Sequence, residues 1–118
     1  MILCLDVGNT NIKYAIFDGD NLALSFRVAT DLKKTSDEYG AQLLTILSNN
    51  GVDASALHGG IISSVVPQLD YTLERMLVTY LGIKPLSLAP GLKTGLNIKV
   101  DNAREVGAAR VVNYVAGL

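Results

Sequence analysis

The sequence predicts an α/β fold: a mixed five-stranded sheet in which three antiparallel strands are followed by parallel β-α-β units, with helices. Two observations lead to this prediction. Three short apolar runs separated by tight polar turns fill the first thirty residues, which is typical of an antiparallel meander. After them, segments with helical periodicity alternate with short apolar runs, and such alternation implies crossovers between parallel strands.

The opening meander is predicted from two turns. Residues 2–5 and 12–17 are apolar runs joined by a Gly-Asn-Thr turn. Asp18-Gly19 is a strong hairpin signal, so residues 22–28 are predicted to form the third strand. The polar residues 30–35 are expected to be a solvated connector.

The helices and later strands have clear boundary signals. Thr35 and Glu38 have the spacing of a capping box, apolar residues then recur at helical spacing, and Asn50-Gly51 supplies a stop. Residues 59–66 predict a fully buried strand. A second helix is expected from Pro67 to Gly82, because proline suits the first helical turn. Residues 84–88 then form a brief strand.

The last thirty residues contain a glycine-containing loop and a predicted final helix. Asn102 can cap that helix, which runs through Val115. Gly107 in its early turns costs about 1 kcal/mol relative to alanine, which suggests a packing or ligand reason for it. Arg110, one turn on, could face the same place, or it could be a solvated surface residue.

Composition excludes several classes of protein. The chain is 49% hydrophobic and 18% charged, with a net charge of −1, which is a globular balance without a clustered basic surface for nucleic acid. Cys4 is the only cysteine, so a buried thiol is expected and a reducing compartment is permitted. No apolar run is long enough to span a membrane, and the N-terminus does not resemble a signal peptide. We expect a cytoplasmic protein without nucleic-acid or membrane partners.

The stretch with most chemical content is residues 3–13, LCLDVGNTNIK. Asp6 ends an apolar run, and the turn after it begins at Gly8. Consecutive backbone amides in a turn form an anion-binding concavity, and a carboxylate can hold hydrated Mg²⁺ against nucleotide phosphates. The alternative is a hairpin whose polar residues only satisfy turn geometry.

Five stretches together resemble the N-terminal half of the type III pantothenate kinases. They are residues 6–20 (DVGNTNIKYAIFDGD), 35–40 (TSDEYG), 61–67 (IISSVVP), 90–102 (PGLKTGLNIKVDN) and 104–113 (REVGAARVVN). They span nearly the whole chain, and their order is more specific than any single motif. The resemblance implies that residues 1–118 form a ribonuclease H-like domain of the acetate and sugar kinase, Hsc70 and actin superfamily.

The family phosphorylates pantothenate with ATP at the start of coenzyme A biosynthesis. The resemblance therefore implies pantothenate as substrate, Mg²⁺ and a monovalent cation (K⁺ or NH₄⁺) as cofactors, and a homodimer. It places ATP in a cleft between two such domains. Another kinase of the superfamily is an alternative, since a phosphate-binding turn alone does not identify the molecule that accepts the phosphate.

The resemblance also assigns site residues. The family's first phosphate motif matches Asp6, Gly8, Asn9, Thr10, Asn11 and Lys13. Asp6 would assist the metal, and the turn amides would hold the phosphates. The family's pantothenate-binding Gly-Ala-Asp-Arg segment matches Gly107, Ala108, Ala109 and Arg110. Arg110 would contact the carboxylate side of pantothenate or its neighbours.

Three positions depart from the family pattern. Ala103 replaces a usual proline before the last predicted helix, which mainly affects rigidity. Ala109 stands where the family has the aspartate that takes the proton from the pantothenate hydroxyl, and such a base typically contributes about 10²- to 10⁴-fold. Val100 stands where a substrate-side tyrosine is common. The sequence also stops at Leu118, before the family's second domain and its cation motif, so we expect that domain and the cation site to be absent.

These departures predict a kinase with crippled or lost activity. We expect a truncated or engineered half-protein. The alternative function is a non-catalytic ribonuclease H-like half-domain that binds nucleotide weakly and self-associates, with two copies pairing where two domains normally meet.

Overall fold

The computed structural model describes residues 1–88, which form one five-stranded sheet and two α-helices. The elements are β1 (Ile2–Val7), β2 (Asn11–Asp18), β3 (Asn21–Ala29), α1 (Ser36–Asn49), a 3₁₀ turn (Ala54–Ala56), β4 (Gly59–Ser64), α2 (Pro67–Leu81) and β5 (Leu86–Leu88). The strand order is β3-β2-β1-β4-β5. The first three strands pair antiparallel, whereas β4 and β5 run parallel to β1. The predicted mixed sheet is confirmed.

Local chemistry sets the helix ends as predicted. The backbone N–H of Glu38 donates to the Thr35 hydroxyl at 3.2 Å, and the N–H of Thr35 donates to Glu38 Oε1 at 3.0 Å. This capping box satisfies two N–H groups that a helix start otherwise leaves unpaired. α2 begins at Pro67 and stops at Gly82, whose φ of 66° is a left-handed conformation that favours glycine.

Both helices pack on one face of the sheet. Alternate strand residues point to that face, and the resulting core includes Leu3, Leu5, Val7, Ile12, Tyr14, Ile16, Ile62, Tyr39, Leu43, Leu47, Leu69, Leu73 and Leu77. A smaller cluster on the opposite face contains Cys4, Ala15, Phe17 and Ile61. Because side chains alternate along a strand, Asp6 and Lys13 lie on the face that carries this smaller cluster.

Several element boundaries differ from the prediction. β1 continues to Val7 because its last residues pair on both sides, so Asp6 lies within the strand. The strand predicted over residues 59–66 as fully buried ends at Ser64, and Val65 is 51% exposed. The chain turns there because the Ser64 hydroxyl accepts the N–H of Val66 at 2.9 Å. β5 starts only after Pro85, which has no N–H for the ladder.

The predicted loop and final helix of residues 89–118 lie outside the described residues. Within residues 1–88, no helix combines the length and apolar character needed to cross a membrane.

Candidate functional site

The candidate site lies at one edge of the sheet. Because β1 and β4 are parallel, their carboxyl ends reach the same edge, and the hairpin after β1 makes β2 begin there. β3 runs antiparallel to β2 and so ends at that edge too. Ligands of open α/β sheets bind outside the carboxyl ends of the strands, so this edge is where phosphate chemistry is expected.

A row of polar side chains crosses the sheet near this edge. Asp6 of β1 is directly paired with Lys13 of β2 and with Ser63 of β4. Lys13 is in turn paired with Arg27 of β3. Directly paired residues project to the same face, here the face opposite the two helices. Asp6 and Lys13 are half-buried and Arg27 is exposed, so the predicted carboxylate is not sealed in the core.

Glycine at position 8 is required by a close backbone approach. The N–H of Gly8 donates to the carbonyl of Asn11 at 2.9 Å. A Cβ atom on Gly8 would lie 3.1 Å from that same oxygen, which is tighter than ordinary van der Waals contact. The positive φ angles of the described residues occur elsewhere, at Gly19, Gly51 and Gly82.

The turn offers fewer amides than the sequence predicted. We expected the N–H groups from Gly8 to Asn11 to face a ligand, but the N–H of Gly8 is already paired with Asn11. Within the described part of the chain, no hydrogen bond joins the N–H of Asn9 or Thr10 to another group. These two exposed turn residues therefore carry the amides that an anion could use.

Thr30, which directly follows β3 at this same edge, forms hydrogen bonds with the turn. Its hydroxyl donates to the carbonyl of Gly8 at 2.7 Å, and its N–H donates to the carbonyl of Thr10 at 2.9 Å. The sequence placed Thr30 in a solvated connector and gave it no role. Ser63 and Arg27 were missed as well, and only strand register could have revealed them.

The residues at this edge fit the ligand set of a magnesium ion. Among residues 1–88, no three His, Cys, Asp or Glu side chains gather into a group that could hold a metal. Mg²⁺ usually takes one or two carboxylates and fills its other positions with water and phosphate oxygens. Asp6 supplies one half-buried carboxylate, and it lies next to a turn that excludes a side chain at Gly8. This arrangement matches the requirement.

The predicted substrate residues lie outside the described residues: Val100, Gly107, Ala108, Ala109 and Arg110. Their roles stay predictions.

Comparison with known proteins identifies the family. The family model for type III pantothenate kinase matches residues 2–118. The type III pantothenate kinases of Geobacillus kaustophilus and an Exiguobacterium species are 52% and 48% identical to this chain over 118 residues, all of the chain and 46% of each relative. The chain thus spans about half the length of the curated relatives it matches.

A solved structure supports the fold independently. The ROK hexokinase of Thermus thermophilus superposes with a TM-score of 0.59 at 16% identity, over 79% of this chain and 36% of the hexokinase. This likeness shows a shared fold, and the predicted ribonuclease H-like architecture is confirmed. With the family model matching almost every residue, the chain belongs to the type III pantothenate kinase family.

Proposed function

We propose that this chain provides the phosphate-binding half of a site for ATP-dependent phosphorylation of pantothenate. The observation that carries the proposal is the location of Asp6 and of the unpaired turn amides of Asn9 and Thr10 at the same carboxyl edge of the sheet. Family membership supplies the acceptor and the phosphate donor. The curated relatives are about twice as long as this chain. That this chain takes part in the complete reaction is therefore itself proposed.

Each residue of the edge has a proposed role. Asp6 would hold Mg²⁺, which when bound neutralises charge on the phosphate oxygens. The N–H groups of Asn9 and Thr10 would donate to those oxygens, and Lys13, paired with Asp6 in the sheet, would add a positive charge. Phosphoryl transfer depends mostly on such positioning and electrostatic stabilisation.

The proposed defect lies among the residues that would bind pantothenate, the phosphate acceptor. Gly107 and Arg110 would bind pantothenate, but the methyl group of Ala109 cannot remove a proton from the attacking hydroxyl. Loss of a general base typically costs about 10²- to 10⁴-fold in rate. We therefore propose that the chain binds Mg·ATP and transfers phosphate slowly or not at all. A monovalent cation is not assigned to any described residue.

Calorimetric titration with Mg·ATP, paired with a radiometric assay of pantothenate phosphorylation, tests this proposal. We expect binding by the natural chain, weaker binding by Asp6→Asn, and turnover that rises in Ala109→Asp. Absence of Mg·ATP binding by the natural chain would refute the proposed nucleotide site.

A non-catalytic, self-associating module is the second candidate, and Ala109 is the observation that favours it. It predicts nucleotide binding without turnover in Ala109→Asp as well, together with a homodimer. Turnover by Ala109→Asp would contradict this candidate, and so would a persistent monomer in sedimentation velocity over a wide range of protein concentrations.

A further inference from the structure

We propose that Thr30 and Tyr39 are positioning residues that hold the phosphate-binding turn in shape, through a hydrogen-bonded tether from the turn to helix α1. The tether consists of Thr30, Asp31 and Tyr39. The identity of the ligand that the turn binds rests on the proposed function, whereas the tether itself rests on contacts within residues 1–88.

The first part of the tether fixes two peptide planes. Thr30 donates to the carbonyls of Gly8 and Thr10, which lie on either side of Asn9. In a trans peptide, the carbonyl and the following N–H point in opposite directions. Since the Gly8 carbonyl points at Thr30, the N–H of Asn9 must point away from it. Thr30 therefore sets the direction in which this unpaired amide is presented.

The second part anchors Thr30 to the core. The next residue, Asp31, donates its N–H to the Tyr39 hydroxyl at 2.9 Å, and the same hydroxyl donates to the carbonyl of Asp31 at 2.7 Å. Tyr39 lies in the first turns of α1 and is fully buried. Burial raises the pKa of its phenol, so the hydroxyl keeps the proton that it donates. One phenol thus satisfies both backbone groups of Asp31.

The two parts act in series. Without them, the turn would be a largely exposed three-residue connection between β1 and β2 whose amides could rotate, and a ligand would have to order it on binding. A turn held in its binding shape before the ligand arrives avoids that entropic cost. Four hydrogen bonds through two consecutive residues, Thr30 and Asp31, supply this restraint.

Four substitutions in the full chain test the tether. Thr30→Val and Tyr39→Phe each remove one hydroxyl with little change of shape, and Thr30→Ser restores the hydroxyl. Tyr80→Phe is the matched control, because it removes a similar phenol bond, the 2.8 Å contact with Asp37 Oδ1 between α1 and α2.

The first readout is amide hydrogen exchange by NMR without nucleotide, followed at the N–H groups of Gly8 and Thr30. We expect about fivefold faster exchange in Thr30→Val, which loses one ordinary hydrogen bond. Tyr39→Phe loses two, so the exchange should be at least as fast in that variant. Thr30→Ser and Tyr80→Phe should exchange these two protons as the natural chain does. The second readout is the dissociation constant for Mg·ATP, which should rise by a similar factor in the same two variants.

The outcomes are distinguishable. Natural exchange rates in both Thr30→Val and Tyr39→Phe would overturn the tether. Faster exchange with an unchanged dissociation constant would overturn the positioning role. Faster exchange in a protein that binds no Mg·ATP at all would support the tether and refute the proposed function instead.

Discussion

Gly40 of α1 lies directly against the aromatic ring of Tyr80 of α2. A Cβ atom on Gly40 would come within 2.7 Å of Tyr80 Cγ, which is the base of the ring and not its movable tip. The Tyr80 hydroxyl is also held by Asp37 at 2.8 Å. The missing side chain at position 40 therefore allows the two helices to approach closely.

Gly40→Ala should destabilise the protein. A glycine in a helix interior normally costs about 1 kcal/mol relative to alanine, so propensity alone predicts a gain. Overpacking here should dominate and lower the free energy of unfolding by about 1–3 kcal/mol. Urea denaturation measures the change. In a Tyr80→Ala background the same substitution should stabilise, because the ring is gone; stabilisation in the natural background would contradict the contact.

Gly8→Ala should distort the turn and lower both the free energy of unfolding and the affinity for Mg·ATP. The new Cβ would press on the carbonyl of Asn11 at 3.1 Å and strain the hydrogen bond between these residues. We expect a loss of about 1 kcal/mol in the free energy of unfolding, the value of one hydrogen bond, and weaker Mg·ATP binding by calorimetry.

Gly19→Ala is the matched control for Gly8→Ala. Gly19 has a left-handed φ of 62°, so alanine there should cost about 1–2 kcal/mol of stability. Its turn joins β2 to β3 at the other end of the sheet, and nucleotide binding should therefore stay unchanged. Natural affinity in Gly8→Ala would argue against ligand binding by the turn that contains Gly8.

The parts of the fold that the sequence predicted well are those governed by nearby residues. Thr35 and Glu38 are three positions apart, and their spacing alone identifies the capping box that their hydrogen bonds form. Pro67 and Gly82 likewise mark the ends of α2 through their own backbone preferences. The three opening strands followed from alternating apolar runs and two short turns.

The site was predicted only in part because its geometry depends on strand register. The motif around Asp6 is continuous in sequence, so its residues could be named as a candidate site from the sequence alone. Thr30 is 22 residues from the Gly8 carbonyl that it holds, and Ser63 lies beside Asp6 only because β4 pairs with β1 in one register. No local pattern encodes such pairings. The same limit explains the wrong expectation for the Gly8 amide, whose partner is set by the shape of the turn.

Asp6→Asn should separate charge from shape at the proposed metal position. The amide has the size of the carboxylate but no charge, so we expect Mg·ATP affinity to fall by at least about tenfold, as loss of a charge-assisted contact implies. Chelating the magnesium with EDTA should bring the natural chain to the same weak affinity. Asp20→Asn, at an exposed turn, should leave binding unchanged. If Asp6→Asn binds Mg·ATP as tightly as the natural chain, Asp6 is not the metal ligand.

The buried thiol of Cys4 should make stability depend on alkaline pH. Burial raises its pKa from 9.0 to about 12, so the folded chain holds this proton more tightly than the unfolded chain does. The resulting stabilisation is complete below about pH 9 and is lost as the pH rises towards 12. Urea denaturation across this range should show a falling free energy of unfolding. Cys4→Ala should fall less steeply and keep only what other groups contribute, such as Tyr14, whose phenol pKa burial also raises. An equally steep fall in Cys4→Ala would show that the thiol is not responsible.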